Sequence, residues 1–357
     1  MNRIKPLDGL RVFAAFGVVW IHTWTLCGNP AFKIGSLDIY KSVAVVGNGV
    51  DFFFVISGFF MYTVLSKKVF SGENYLIFLQ KRFKRIAPAF YVSAVVYCIV
   101  FLVNNLHYPF VEKLVLNMLF LNNFFSGAEI IGPFWSLCTE WHFYIILPFL
   151  FYKTGNRFFI KALLILTVLS FIFILLMNSS ILNERFWDKQ IPVRFIEFVP
   201  GVVAAYFYQK KQAVPGWLSG AKGILLACAI TYIGRMLMVK EVIHSFGNGG
   251  WLMKSLSMPV MTFGFGILVF LVISEQSFFS RFLSFQPMQF LGKISYSVYL
   301  WHSLILMFVP KNWPGHFSPV LIFMIVSVLT SILSYISYKF FEQPYFQSAS
   351  KLKLASE

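Results

Sequence analysis

Residues 158–177 read FFIKALLILTVLSFIFILLM, twenty positions with one charge, Lys161. As a helix rising 1.5 Å per residue, such a stretch is about 30 Å long, the thickness of a bilayer's hydrocarbon core. Comparable apolar runs recur at 9–27, 43–65, 87–106, 134–152, 193–209, 220–239, 256–274, 293–310 and 318–341. That makes ten spans. The runs are continuous and lack the alternation of a membrane barrel, so the expected fold is an all-α polytopic membrane protein. The stretch Leu114–Phe125 is apolar but too short to span, and reads as lying along the interface or re-entering.

Composition agrees. Of 357 residues, 58% are hydrophobic and 12% charged, with a mean hydropathy of +0.72. Soluble domains hold about 45–50% apolar and about 25% charged residues, so an ordinary soluble enzyme is excluded, as is a disordered chain. The net charge of +16 does not require a nucleic-acid partner. With the N-terminus in the cytoplasm, 19 Lys and Arg fall on the cytoplasmic side and 9 opposite, with Arg11 and Arg235 inside spans. This asymmetry is the positive-inside orientation signal and puts both termini in the cytoplasm. The first span is long and has no small-x-small site after it, unlike a cleaved signal peptide. Segments between spans reach about 27 residues, too short for an independent domain. The expectation is one transmembrane domain over 1–345 and a cytoplasmic tail over 346–357. Internal repeats and inverted pairs of broken spans are not apparent. Cys27, Cys98, Cys138 and Cys228 show no C-x-x-C spacing and read as packing residues.

Ionisable groups inside a bilayer cost about 2.5 kcal/mol or more each, so each one needs a reason. The first span carries two, Arg11 and His22, preceded by Leu7-Asp8-Gly9-Leu10. Eleven positions at about 100° each bring them to within ~20° of one helix face, with a rise of ~16 Å. Arg11 then lies near the cytoplasmic surface and His22 toward the far leaflet. Arg11 snorkelling to headgroups, with His22 bonded to a neighbouring helix, is the plain alternative.

Further landmarks follow in order. They are Gly49-Val50-Asp51 with Ser57-Gly58, Arg82-Phe83-Lys84-Arg85-Ile86-Ala87-Pro88, and Trp135-Ser136-Leu137-Cys138-Thr139-Glu140 with Phe143-Tyr144 and Pro148. Arg194-Phe195 with Gly201 comes next, then Gly292-Lys293-Ile294-Ser295-Tyr296 through Trp301-His302, and Glu342-Gln343-Pro344. Seven such motifs in this order resemble the membrane acyltransferase-3 family over essentially the whole chain. Many members carry a second acidic residue and a Gln after Trp-Ser-Leu-x-x-Glu. Trp141 and His142 stand there instead, which leaves Glu140 as the carboxylate of that segment. Longer members append an esterase-like domain; a chain ending soon after Pro344 is expected to act alone or with a partner.

The resemblance implies an O-acyltransferase, in particular an O-acetyltransferase, in a bacterial cytoplasmic (inner) membrane. Acetyl-CoA would be the cytoplasmic donor, and the acceptor a hydroxyl of a cell-surface or lipid-linked glycan such as lipopolysaccharide O-antigen, exopolysaccharide or peptidoglycan. His22, Arg11 and Glu140 would be catalytic, with His22 as general base or transient acyl carrier. Counting residues from the span ends puts Glu140 and His22 at one depth, roughly 10 Å below the outer surface, which suits a base and its orienting carboxylate. Glu140 bonded to backbone amides is the alternative. Arg82 and Arg85, with Arg11, would hold the donor's phosphates, because guanidinium forks bind phosphate bidentately; positive-inside contact with lipid is the other reading. Asp51, Trp135, Ser136, Tyr296 and His302 form the substrate-side set, with helix capping open for Asp51 and packing for His302. Glu342 reads as a latch to a cytoplasmic Arg or Lys. Arg235 has no family counterpart. The histidines 107, 142, 244 and 316 make no metal-ligand spacing, so no metal is expected. A proton-coupled transporter or flippase of a glycan precursor is the rival function.

Overall fold

The structure is a computed structural model that describes residues 4–35, 37–46, 49–66, 71–104 and 108–345. The side chains of Leu37, Val45, Val46, Glu241 and residues 152–158 are also outside the description. Arg3, Lys67, Lys68, His107, Lys351, Lys353, the side chains of Lys153 and Arg157, and the tail 346–357 therefore lie outside the described residues.

The described chain is helical almost throughout. In order come α1 (Lys5–Leu26), α2 (Ile39–Val46), α3 (Gly49–Leu65), α4 (Gly72–Asn104), α5 (Phe110–Met118) and α6 (Trp135–Asn178). They are followed by α7 (Glu184–Trp187), α8 (Ile191–Gln209), α9 (Gly220–Met236), α10 (Lys240–Ser245) and α11 (Gly250–Ser274). Last are α12 (Phe278–Leu283), α13 (Gln286–Met307), α14 (Trp313–His316) and α15 (Pro319–Ser337), which ends in a π turn at Tyr338–Glu342. A two-residue-per-strand hairpin, Lys33–Ile34 against Leu37–Asp38, interrupts the loop after α1.

Among the described residues, seven helical stretches are long and apolar enough to cross a bilayer, so the chain is an all-α, multi-pass membrane protein. The three other expected spans are helical as well. They are the first part of α6, the 17-residue α9, and α13, whose apolar positions are interrupted by Lys293, Ser295, Tyr296, Ser297 and His302.

Continuous helical backbone over α6 conceals a reversal. The Phe151 and Phe159 rings stack at 3.8 Å. Thr139 donates to the Lys189 carbonyl at 2.6 Å, and Ser170 to the Val193 carbonyl at 3.0 Å, both at the start of α8. In a straight helix, residues 31 positions apart would be ~46 Å from each other. The 134–152 and 158–177 runs are therefore two arms packed side by side.

One helix differs from the sequence reading. α4 begins at Gly72, well before residue 87, because its first turns are amphipathic and find partners: Tyr75 donates to the Ile145 carbonyl at 3.3 Å. The short Leu114–Phe125 stretch turns its asparagines into the protein. Asn117, Asn122 and Asn123 are buried there, and Asn123 donates to the Trp135 carbonyl, Thr139 Oγ1 and the Lys189 carbonyl. Such backbone is tolerated at membrane depth only where protein surrounds it.

α3 and α8 pack through glycines. A Cβ on Gly201 would stand 1.8 Å from the Val55 carbonyl oxygen, and one on Gly58 2.1 Å from that of Phe198. Small residues permit this backbone approach where the hydrophobic effect gives helices no preference for each other over lipid. α1 packs on α13 in the same way, with Gly292 against the Asp8 carbonyl. These contacts bring α1, α3, α6 and α13 around a common centre.

Candidate active site

A cavity enclosing about 460 Å³, its open mouth included, lies at that centre. Arg11 of α1, Ser57 of α3, Ser136 and Glu140 of α6, and Tyr296 and Tyr299 of α13 line it. Glu140 accepts hydrogen bonds from Ser57 and Tyr144. The Arg82 guanidinium lies 5.3 Å over the Tyr144 ring and 5.2 Å over Phe78, and Arg11 lies 5.5 Å over Phe60. Arg85, Tyr144 and Glu140 are within electrostatic range of Arg11. Arg11 of α1 and Arg82 of α4 thus stand within electrostatic range of one carboxylate, and Arg85 stands within range of both arginines. The Arg11 and Arg82 guanidiniums lie over aromatic faces.

The expected depth of Glu140 needs correction. It shares the layer of Arg11, and α1 rises ~16 Å between Arg11 and His22. Among the described residues its partners are Ser57 and Tyr144, not His22. The counting assumed that α6 starts at the outer surface. Instead the 3₁₀ turn Gly132–Phe134 leads into it inside the protein, with Phe134 buried against Phe90 and Tyr97 of α4.

His22 stands further along α1. Its Nδ1 lies 2.9 Å from the Val18 carbonyl. A carbonyl only accepts, so Nδ1 carries the proton and Nε2 keeps its lone pair. The ring lies 5.0 Å, centroid to centroid, from that of His302. His302 is fully buried, with Nδ1 donating to the Tyr299 carbonyl at 2.6 Å and Nε2 3.2 Å from Ser303 Oγ. Tyr299 touches the His302 ring at 5.8 Å; its hydroxyl donates to the Pro133 carbonyl at 2.5 Å and lies 2.7 Å from Ser136 Oγ. Tyr296 donates to the Ile86 carbonyl at 2.9 Å, tying α13 to α4 beside Arg85. The structure therefore brings Arg11, Arg82, Arg85, Glu140, Ser136 and Tyr296 together, and sets His22 and His302 beside each other beyond Tyr299.

Asp51 is placed differently from the substrate-side expectation. It is 2% exposed, and Arg194 Nη1 lies 3.3 Å from Oδ1. Arg194 also pairs with Glu197 and Asp188, each at 2.7 Å, and its guanidinium lies 4.7 Å over Trp135. Asp51 is thus enclosed by protein charge, and Trp135 serves as the floor of that cluster. Arg235 stands within electrostatic range of Asp51, Arg194 and Glu197, and this gives it the partners its sequence position lacked. Sequence reasoning missed Glu197; the signal was an i, i+3 pair with Arg194 inside an apolar run.

Among the described residues, no group of three His, Cys, Asp or Glu side chains is arranged to hold a metal ion. Cys138 is buried and donates to the Phe120 carbonyl at 2.8 Å, a packing role.

A family described as an acyltransferase domain, of the acyltransferase-3 type, matches residues 4–339. The chain belongs to this acyltransferase family. It is 25% identical over 364 residues to O-acetyltransferase OatA of Staphylococcus aureus (strain NCTC 8325 / PS 47), covering 96% of this chain and 57% of that protein. A Bacillus subtilis (strain 168) protein provisionally named peptidoglycan O-acetyltransferase YrhL is 26% identical over 375 residues, covering 96% of this chain and 54% of its own. The chain spans less than three-fifths of the length of these relatives. No solved structure matches it.

Proposed function

We propose that the protein is a membrane O-acetyltransferase that moves an acetyl group from cytoplasmic acetyl-CoA to a hydroxyl of a cell-envelope glycan. The carrying observation is that Arg11 lines a cavity whose polar wall is Ser57, Ser136, Ser295, Tyr296, Tyr299 and Glu140, with Arg82 and Arg85 close behind it, within electrostatic range of each other and of Glu140 or Arg11. Three guanidiniums inside a membrane protein are costly to bury unless an anion joins them, and a coenzyme A nucleotide brings several phosphates. The acceptor class follows the relatives' names: peptidoglycan is the first glycan to test, with lipopolysaccharide O-antigen and exopolysaccharide beside it. Ten spans with both termini in the cytoplasm, in a bacterial inner membrane, would place the arginines on the donor's side and His22 toward the acceptor's.

The chemistry assigned to His22 uses its free nitrogen. Nε2 takes the proton from the acceptor hydroxyl as its oxygen attacks the thioester carbonyl. The carbon–sulfur bond then breaks, the ester forms, and the coenzyme A thiolate leaves with the proton returned from His22. The Val18 carbonyl holds the required tautomer throughout. Glu140 works in the donor layer, where with Ser57 and Tyr144 it balances and orients the arginines.

His22→Ala tests this reading. Envelope glycans from cells carrying the variant should lose the added acetyl by mass analysis, while the variant inserts and purifies as the parent does. Undiminished acetylation would remove His22 from the mechanism.

A further inference from the structure

Glu342 ends the π turn at Tyr338–Glu342 and is 3% exposed. The turn packs on α4, the helix that carries Arg82 and Arg85. Ser297 donates to Glu342 Oε1 at 2.5 Å. The residue before Ser297 is Tyr296, which lines the cavity and is bonded to the Ile86 carbonyl next to Arg85. Arg85 and Arg11 lie within electrostatic range of Glu342, yet among the described residues no salt-bridge contact joins it to either. A latch would close such a contact. A buried carboxylate held by a hydroxyl, close to the arginines but not on them, lowers their potential without occupying them. π turns inside helices are frequently found at functional sites, and this one directs Glu342 inward where an α-helical continuation would rotate it elsewhere.

We infer that Glu342 is a positioning residue that tunes the arginine cage electrostatically, weakening its hold on the coenzyme A phosphates so that the spent carrier leaves after transfer. Glu140 and Glu342, with Asp8 paired to Arg11 at 3.9 Å, set negative charge against Arg11, Arg82 and Arg85. A cage without this counter-charge would grip donor and product alike, and uniform tightening does not accelerate turnover. The inference rests on the proposed role of the arginines as the donor's phosphate site.

Coenzyme A itself is the probe, titrated by calorimetry into the purified full chain in lipid nanodiscs. Glu342→Gln keeps an oxygen to accept from Ser297 and removes the charge. At an effective dielectric of about 20, loss of one charge about 12 Å from a phosphate is expected to tighten coenzyme A binding about tenfold. The turnover number for acetyl transfer should fall while KM for acetyl-CoA falls with it. Glu342→Asp should keep the affinity of the parent. A latch predicts the opposite, with weaker binding and a lower unfolding temperature for Glu342→Gln. Equal or weaker binding by Glu342→Gln overturns the inference. If Glu342→Gln does not fold, Glu342→Met, which also removes the charge, replaces it; failure of both to fold overturns it too. If the parent protein binds no coenzyme A, the donor-site reading fails first, and the two failures are told apart.

Discussion

Replacing Glu140 by Gln separates the two layers of the site. The carboxylate accepts from both Ser57 and Tyr144. Both bonds end on Oε1, so a Gln amide oxygen placed there can still accept from both hydroxyls, but as a neutral acceptor it makes no charge-assisted hydrogen bond. Charge-assisted bonds contribute about 1.5–3 kcal/mol against about 0.5–1.5 for neutral ones, so about 1–1.5 kcal/mol is lost from each, and at 1.4 kcal/mol per decade the two together make a factor of roughly 25–150. The loss should fall on the donor layer, since Glu140 neighbours Arg11 and not His22. Steady-state kinetics in nanodiscs, with acetyl-CoA varied at fixed acceptor, should show KM for acetyl-CoA raised within that range and a smaller change in turnover. A double-mutant cycle sharpens the assignment. Glu140→Gln and Tyr144→Phe should couple by about 1 kcal/mol or more, as contacting groups do, whereas Glu140→Gln and His22→Gln should be nearly additive. Strong coupling to His22, or a loss confined to turnover, would restore the base–orienter pair and refute the layered reading.

Other outcomes follow from particular contacts. Arg82→Lys and Arg85→Lys should each weaken coenzyme A binding although charge is kept, because an ammonium cannot reproduce the fork; parental affinity in a titration would return both residues to ordinary contact with lipid. Gly201→Ala should cost about 1–3 kcal/mol of stability, read as a lowered thermal midpoint, since its methyl would meet the Val55 carbonyl at 1.8 Å and push α3 from α8; an unchanged midpoint would mean the helices separate freely. After replacement of the four native cysteines, an impermeant thiol reagent on intact cells should label Cys introduced for Asn29 or Ile181 and spare Cys introduced for Ala213; the reverse pattern would place the arginine cage on the side that lacks acetyl-CoA.

Much of the architecture is legible in the sequence because membrane spans are local. Twenty apolar residues need no tertiary information to be recognised, and the division of α6 into two arms is readable from the charges that separate two such runs in the sequence. What was not legible depends on where helices begin in three dimensions. Glu140 was assigned to His22's depth because its run was measured from an assumed surface, and only the buried asparagines 117, 122 and 123 reveal how far in α6 starts. The Arg194 cluster joins residues from α3, α8 and α9 that no single window contains, so from sequence Asp51 reads as a ligand or a helix cap and Arg235 stays unexplained. Glu342 read as a latch because its π turn is set by packing on α4, not by residue propensities.

A separation of ~16 Å along α1 between arginine cage and His22 is a demand of the proposed chemistry. A donor held by its phosphates can deliver its acetyl only if an extended arm reaches the base. Tyr299, which lines the cavity, His302 and His22 form a line of rings from α13 to α1. The Tyr299 hydroxyl is already committed to Pro133 and Ser136, at the start of α6. The placement of Glu140 in the donor layer and the fixing of Tyr299 therefore have one cause, the segment leading into α6. Changes in that segment should disturb donor reach and His22 access together, whereas changes in α9 should disturb neither.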